Sequence, residues 1–235
     1  MSATNRGAKR HAQDFYATPL YGVHRLLDRW WPWPDRYSAR KFRIYDPCAG
    51  DGAIFRAIMS HPRWPEVASR TEFLVNELRR SSRPALERLR AQGAPIQQIT
   101  YGDFLSLPAP REKVDLILTN PPFCLAQEFV ARSREIATWA SFLLRVNFFG
   151  SQRRQEWFQT GMPARTLVLP DRPAFAVNDD GQVATDSTEY AWMNWNRERR
   201  SAGTIEVLGP TPAAVISAAR REIREAHRRQ LRRRA

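Results

Sequence analysis

Three features of the sequence predict an α/β fold built on a largely parallel sheet. Short apolar runs alternate with amphipathic stretches from Lys41 onward, and a turn rich in Asp and Gly stands where the first run gives way to a helix. The third feature is Val114–Thr119, a clean VDLILT run suited to a central strand. Taken in order, Phe42–Tyr45 reads as a strand and Ala53–Ser60 as a helix. Phe73–Val75 is the second strand, and a helix follows near Arg83–Ala91. Ile96–Tyr101 and Val114–Thr119 are strands, Gln127–Ile136 a helix, Phe142–Phe149 another buried strand, and Gln152–Phe158 a short helix. In the last third the strands Thr166–Leu169, Glu189–Trp195 and Thr204–Leu208 fall closer together, which predicts antiparallel pairing at one sheet edge.

Residues 1–12 read as a basic tail, 13–210 as the core domain and 211–235 as a basic C-terminal helix. In that helix Thr211 is placed to cap and Pro212 to take the first position, and Ile216, Ala219, Ile223 and Ala226 recur on one face. Two segments break the rhythm: the Arg29–Pro34 cluster with Trp30, Trp31 and Trp33, and a long polar loop over 171–188.

The chain has 235 residues, 43% of them hydrophobic, with 37 Lys+Arg against 24 Asp+Glu and a net charge of +13. A chain of this size buries a substantial core, and its charge points to a polyanionic partner, usually nucleic acid. Residues 213–235 alone carry eight Arg against two Glu. No apolar run approaches the roughly 20 residues a membrane span needs, and the N-terminus lacks the apolar region of a secretory signal. Cys48 and Cys124 stand in no CxxC pattern, so a cytoplasmic protein with free thiols is expected. His11, His24, His61 and His227 have no ligand spacing, and no metal site is proposed.

The first chemical signal is Asp46-Pro47-Cys48-Ala49-Gly50-Asp51-Gly52, where a strand ends and a helix begins. Its glycines permit a sharp turn and close approach to a ligand at the carboxyl end of a sheet. Phe55 stands where a dinucleotide-binding loop needs its third glycine, and no GK[ST] follows. Two Asp residues suit a phosphate poorly. They suit a ligand carrying positive charge, such as the sulfonium and amino group of S-adenosylmethionine (AdoMet). Cys48 sits without the electropositive setting that activates a thiolate, which argues against covalent catalysis.

The second signal is Asn120-Pro121-Pro122-Phe123, directly after VDLILT. Two prolines end the ladder in a stiff turn that fixes the Asn120 side-chain oxygen and the Pro121 carbonyl as acceptors, with Phe123 offering a flat face. An exocyclic amino group on a base is a poor nucleophile because its lone pair is delocalised. Accepting both N–H bonds favours a pyramidal nitrogen with a localised lone pair, so orientation and electrostatics suffice without a strong base.

With these residues in view, the chain resembles the AdoMet-dependent DNA N6-adenine methyltransferases of phages and prophages, over residues 13–196. Phe15-Tyr16-Ala17-Thr18-Pro19 resembles the family's FYxTP element, Asp46–Gly52 its DPCAGDG element and Asn120–Phe123 its NPPF element. Arg172-Pro173-Ala174-Phe175 and Asp186–Trp192 resemble its RPxF and TDSxEYAW elements. The resemblance implies a Rossmann-like methyltransferase fold, a seven-stranded mostly parallel sheet with helices on both faces, and AdoMet as cofactor. It implies that Phe15, Tyr16 and Thr18 line the cofactor pocket and that Asp46, Pro47, Cys48, Ala49, Gly50, Asp51 and Gly52 wrap the methionine portion. It further implies that Glu77 bonds the ribose hydroxyls, that Asp103 and Phe104 hold the adenine, and that Asn120, Pro121, Pro122 and Phe123 are catalytic, Asn120 also facing the cofactor. The implied reaction is direct in-line displacement onto the N6 amino group of an adenine flipped out of DNA, in a bacterial or phage-infected cell.

Glu77 lies 31 positions after Asp46, where roughly 20 is usual for a ribose-binding acid. Little follows Trp195 beyond one strand and the basic helix, so inserted loops are expected to read the target, or selectivity to be loose, and surface residues are expected to meet the nucleic acid. Arg153, Arg154, Arg172, Phe175, Arg220 and Arg221 are the candidates, with DNA favoured over RNA as partner. The Trp30–Trp33 cluster reads as a packed loop or as a base-stacking platform. Alternatives to the DNA enzyme are an RNA methyltransferase of the same fold, a protein-glutamine methyltransferase, and a nucleic-acid-binding protein that has lost turnover.

Overall fold

The structure is a computed structural model that describes residues 18–30, 40–177, 183–185, 187–198 and 203–232. The elements are α1 (Leu20–Arg29), β1 (Phe42–Asp46), α2 (Ala53–Ser60), α3 (Trp64–Val67), β2 (Thr71–Glu77), α4 (Arg83–Ala91), β3 (Ile96–Tyr101) and β4 (Val114–Thr119). There follow α5 (Ala126–Ile136), β5 (Ala137–Arg145), α6 (Gln155–Gly161), β6 (Arg165–Val168), β7 (Ala174–Val177), β8 (Val183–Thr185), β9 (Tyr190–Asn196), β10 (Thr204–Val207) and α7 (Ala213–Arg232).

The main sheet runs β3-β2-β1-β4-β5-β9-β6-β10. It has eight strands, as many as read along the sequence and one more than the seven the resemblance implies, with β10 pairing in parallel with β6 to extend that edge. β9 is antiparallel to both β5 and β6 and lies inside the sheet, not at its rim. The expected polar loop over 171–188 contains β7 and β8, an antiparallel ribbon separate from the main sheet. The strand expected at Phe142–Phe149 is displaced: β5 begins at Ala137, opposite Val114 of β4, and Val146–Phe148 is a 3-10 turn.

Alternation along the strands divides the core between the two sheet faces. Ile44, Leu116, Leu118 and Trp192 meet Leu26 of α1, Phe55 of α2 and Leu86 of α4. Tyr45, Ile117, Phe142 and Trp195 meet Phe129 and Val130 of α5 and half-buried Trp157 of α6. Both buried indoles are satisfied: Trp192 Nε1 donates to the Gly22 carbonyl at 2.7 Å and Trp195 Nε1 to the Gly161 carbonyl at 2.6 Å. The Asp of VDLILT is buried too, and Asp115 is satisfied by the Arg43 backbone N–H at 2.9 Å and by a two-pronged Arg40 guanidinium.

α7 packs against α1 and the β7–β8 ribbon. Trp30, the described member of the aromatic cluster, packs edge-on against Trp139 at 5.1 Å; Trp31 and Trp33 lie outside the described residues, as do the 1–12 tail, Phe15, Tyr16 and Asp186. Among the described residues no helix is long and apolar enough to cross a membrane.

Candidate active site

The sheet order reverses between β1 and β4, since the chain moves outward from β1 through β2 to β3 and then returns to the other side of β1. That reversal opens a crevice at the carboxyl ends of the two strands, the usual ligand position in an open α/β sheet. Both sequence-selected turns emerge there, Asp46–Gly52 from β1 and Asn120–Phe123 from β4.

The first turn is tied down mainly by neighbouring strands. Asp46 is buried, and its Oδ1 accepts from the Cys48 N–H at 3.0 Å and from the Thr119 hydroxyl at 2.7 Å. The Ala49 N–H donates to the Asn76 carbonyl at 3.0 Å, the Gly50 N–H to Glu77 Oε2 at 2.7 Å and the Gly52 N–H to the Ala49 carbonyl at 2.7 Å. Asn76 Nδ2 adds bonds to the Pro47 and Gly102 carbonyls at 3.1 and 3.0 Å, coupling the turn to the end of β3. The φ angles of Gly50 and Gly52 are 56° and 86°, which side chains rarely adopt, and a Cβ on Gly52 would stand 2.5 Å from Leu89 Cδ2. These N–H groups of residues 48, 49, 50 and 52 are spent within the protein, whereas a phosphate loop aims its N–H groups at the ligand.

The wall is acidic. Burial pushes the Asp46 carboxyl up to about 7 and the Glu77 charge adds to this, against the lowering hydrogen bonds from Thr119 and Cys48. Glu77 Oε1 accepts from the backbone N–H and Nε of Arg79, both at 3.0 Å. Desolvation, then the carboxylates of Asp46 and Glu77, push the Cys48 thiol well up, the reverse of an activated thiolate.

In the second turn the chain leaves β4 through Asn120 and two prolines, with Pro122 at φ −60°, and closes in a 3-10 turn whose Leu125 N–H donates to the Pro122 carbonyl at 2.9 Å. The Phe123 ring lies 5.7 Å from that of Tyr190, and Phe175 lies 5.0 Å beyond on Tyr190. The Arg145 guanidinium stands 5.0 Å from the Phe123 ring centre, and its Nε donates to the Tyr190 hydroxyl at 3.2 Å.

The turns share one cavity of about 450 Å³, a volume suited to a cofactor-sized ligand. Of the expected cofactor and catalytic residues, Thr18, Asp46 through Asp51, Glu77, Asp103, Phe104 and Asn120 through Phe123 line it. Gly52 is absent from the lining and shapes the turn from behind. Asp103 is braced by the Leu105 N–H on Oδ1 at 3.0 Å and the Ser106 hydroxyl on Oδ2 at 3.1 Å. Phe104 is 3% exposed, packed against Tyr45 and Phe129, so it offers a margin of its ring to the cavity and not an open stacking face.

The nucleic-acid candidates scatter. Arg154 lines the cavity, its guanidinium 4.4 Å from the Phe148 ring and its Nε donating to the Phe148 carbonyl at 2.8 Å, while Arg153 is exposed nearby. Arg172 forms an exposed pair with Glu189 at 2.6 Å and, with Arg220, borders a second cavity between α7 and β7. Arg221 is exposed on α7. Sequence reasoning passed over four residues that matter here. Thr119 and Asn76 brace the first turn, Leu78 stands 51% exposed on the cavity wall, and Arg145 covers Phe123. The signals were slight: Asn76 and Leu78 flank Glu77, and Thr119 and Arg145 are polar ends of apolar strands.

No protein-family model and no curated protein sequence matches the chain. Solved structures do. A type I restriction-modification methyltransferase subunit from Streptococcus thermophilus superposes with a TM-score of 0.64 at 15% identity, over 88% of this chain and 53% of that one. The chain therefore spans about half of that subunit. A candidate class I AdoMet-dependent methyltransferase from Listeria monocytogenes gives 0.57 at 12% identity, over 87% of this chain and 68% of that one. A candidate RNA methyltransferase from Pyrococcus horikoshii gives 0.56 at 14% identity, over 81% and 91%. The fold is that of the class I AdoMet-dependent methyltransferases.

Proposed function

We propose that this chain transfers a methyl group from AdoMet to the N6 amino group of adenine in DNA. The observation that carries the reading is the meeting, in one cavity at the β1/β4 switch point, of an acidic Gly-rich turn and an Asn-Pro-Pro-Phe turn.

The donor set fits AdoMet. The spent backbone N–H groups of the first turn disfavour phosphate, while four carboxylates and partly apolar walls suit a ligand that is cationic, hydroxylated and aromatic in its parts. Asp46 with the 47–51 turn would hold the charged methionine portion, Glu77 the ribose hydroxyls, and Asp103 with Leu78 and the edge of Phe104 the adenine. When bound, the cofactor supplies the electrophilic methyl group.

The chain's own contribution is orientation. The Asn120 side-chain oxygen and the Pro121 carbonyl accept the two N–H bonds of the target amine, favouring a localised lone pair, and Phe123 supports the base. The amine proton is released to solvent, and no general base is required. Arg154 at the cavity and the exposed Arg220, Arg221, Arg224 and Arg228 on α7 supply salt-dependent attraction to phosphates.

The test is labelled methyl incorporation from AdoMet into unmethylated duplex DNA. Asn120→Ala should reduce transfer by at least about 100-fold while leaving AdoMet affinity within a few fold. Undiminished transfer by that variant refutes the catalytic assignment. A second reading, methyl transfer to an amino group in RNA, draws on the chain spanning 91% of the candidate RNA methyltransferase but 53% of the restriction-modification subunit. Incorporation confined to RNA would decide for it.

A further inference from the structure

We propose that Arg145 is a movable cap for the target base, resting on Phe123 and transferring its guanidinium to the outer face of the base once the base has entered. The inference rests on the reading above, since it concerns what lies on Phe123 before and after a nucleic acid arrives.

Phe123 is the flat face beside the Asn120 and Pro121 acceptors, and in the described structure that face is covered. The Arg145 guanidinium carbon lies 5.0 Å from the Phe123 ring centre and 6.0 Å from that of Tyr190, and Nε donates to the Tyr190 hydroxyl at 3.2 Å. A base between Phe123 and a guanidinium needs two contacts of about 3.5 Å, or roughly 7 Å in all. The present gap is about 2 Å short. A base can therefore reach the face of Phe123 that Arg145 covers only if Arg145 withdraws.

The anchors make this a short movement. Arg145 is the last residue of β5, where Leu144 is buried and the side chain of Arg145 itself is half-exposed at the cavity. Tyr190 is buried and fixed opposite Arg145 in the β5–β9 register, so the tether on the resting position is rigid while the arginine stem is not. A planar guanidinium stacks on an aromatic face as an ammonium does not. The same group that protects an apolar ring from water thus becomes, a few ångströms outward, the second face of a sandwich around the base.

The experiment measures methyl transfer to unmethylated DNA at varied DNA concentration, with AdoMet affinity by calorimetry and thermal melting as parallel readouts. Arg145→Ala should raise KM for DNA about tenfold with kcat changed less than about twofold, and leave AdoMet affinity unchanged. Arg145→Lys should behave like the alanine variant. Tyr190→Phe removes the tether and keeps the ring, so KM for DNA should hold or fall.

Rescue by lysine, accompanied by a salt slope of KM that drops by about one in the alanine variant, would assign Arg145 to a phosphate and overturn the cap. Equal losses of AdoMet affinity and melting temperature in both arginine variants would make it a structural prop and overturn it as well. Wild-type transfer with an unaltered KM in Arg145→Ala removes the cap but leaves the proposed function standing; wild-type protein that methylates no nucleic acid removes both.

Discussion

With Asp46 proposed to hold the charged portion of the cofactor, affinity should depend on the pH of the solution. The buried Asp46 carboxyl is pushed up to about 7, whereas an ordinary aspartate stands at 3.8. A sulfonium or ammonium ligand favours the ionised form, so affinity for AdoMet should rise as pH rises through about 7. Between about pH 6 and about pH 7.5 the ionised fraction grows from roughly one-tenth to three-quarters, so Kd should tighten about eightfold, or ~1.2 kcal/mol. Asp46→Asn keeps an Oδ1 that can accept from Thr119 and Cys48, at the 2.7 and 3.0 Å seen here, and removes only the titration. The variant should bind weakly, with no dependence on pH across this window. Ligand-free stability carries the opposite sign. The folded state retains a proton that the unfolded chain releases between 3.8 and about 7, so Asp46 makes stability fall as pH rises there, and Asp46→Asn should raise Tm at neutral pH. Calorimetric titration of AdoMet at four pH values, with melting curves for both proteins, measures all of this. A wild-type affinity flat across the window, or an asparagine variant binding as tightly as wild type at the upper end, would refute the reasoning.

Gly52→Ala places a Cβ at a φ of 86° and 2.5 Å from Leu89 Cδ2, which should cost about 2–3 kcal/mol in urea unfolding; a loss below about 0.5 kcal/mol would mean that the turn is not held as described. His24 donates Nε2 to the Ala57 carbonyl at 2.8 Å, and burial lowers its pKa from 6.5, so the unfolded state takes up a proton first and the His24 contribution falls as pH drops below about 6.5. The stability difference between wild type and His24→Gln should accordingly shrink from pH 7.5 to pH 5.5, roughly one unit either side of that value, and a constant difference counts against it. Trp195→Phe leaves the buried Gly161 carbonyl without its 2.6 Å donor and opens a void among Phe142, Phe148 and Trp157, for a loss of about 2–3 kcal/mol by denaturant melting. Unchanged stability would show that the core refills the space.

Several features of the fold could be read directly from local chemistry. The two turns are written in Gly, Asp and Pro, residues whose backbone effects act within a few positions, so their locations and stiffness follow from sequence. VDLILT gives a fully buried central strand, and its Asp is tolerated because Arg40 and the Arg43 N–H meet it. Helix α1 was legible too, since Val23, Leu26 and Leu27 recur at helical spacing, but went unread beside the Trp-Pro cluster. The β5 boundary was not legible. Residues 142–149 are largely apolar whether they form a strand or a turn, and only the register of Val114 against Ala137 fixes where pairing begins. The β7–β8 ribbon escaped notice because its strands, Ala174–Val177 and Val183–Thr185, are only four and three residues long and are set in an otherwise polar stretch.

By itself the sequence determined the local features available: an acidic Gly-rich turn, a stiff Asn-Pro-Pro-Phe turn, and a strongly basic chain. Tertiary structure decided which groups meet. Glu77 stands 31 residues from Asp46, yet the β1–β2 register pairs Asp46 with Val75, setting Glu77 beside the turn, and the extra residues are taken up in α3 and the 3-10 turn before β2. Thr119 reaches Asp46 across 73 positions, and Arg145 covers Phe123 from a neighbouring strand. Strand register and the reversal of sheet order set these distances, and both are properties of the packed sheet that no local stretch of chain encodes.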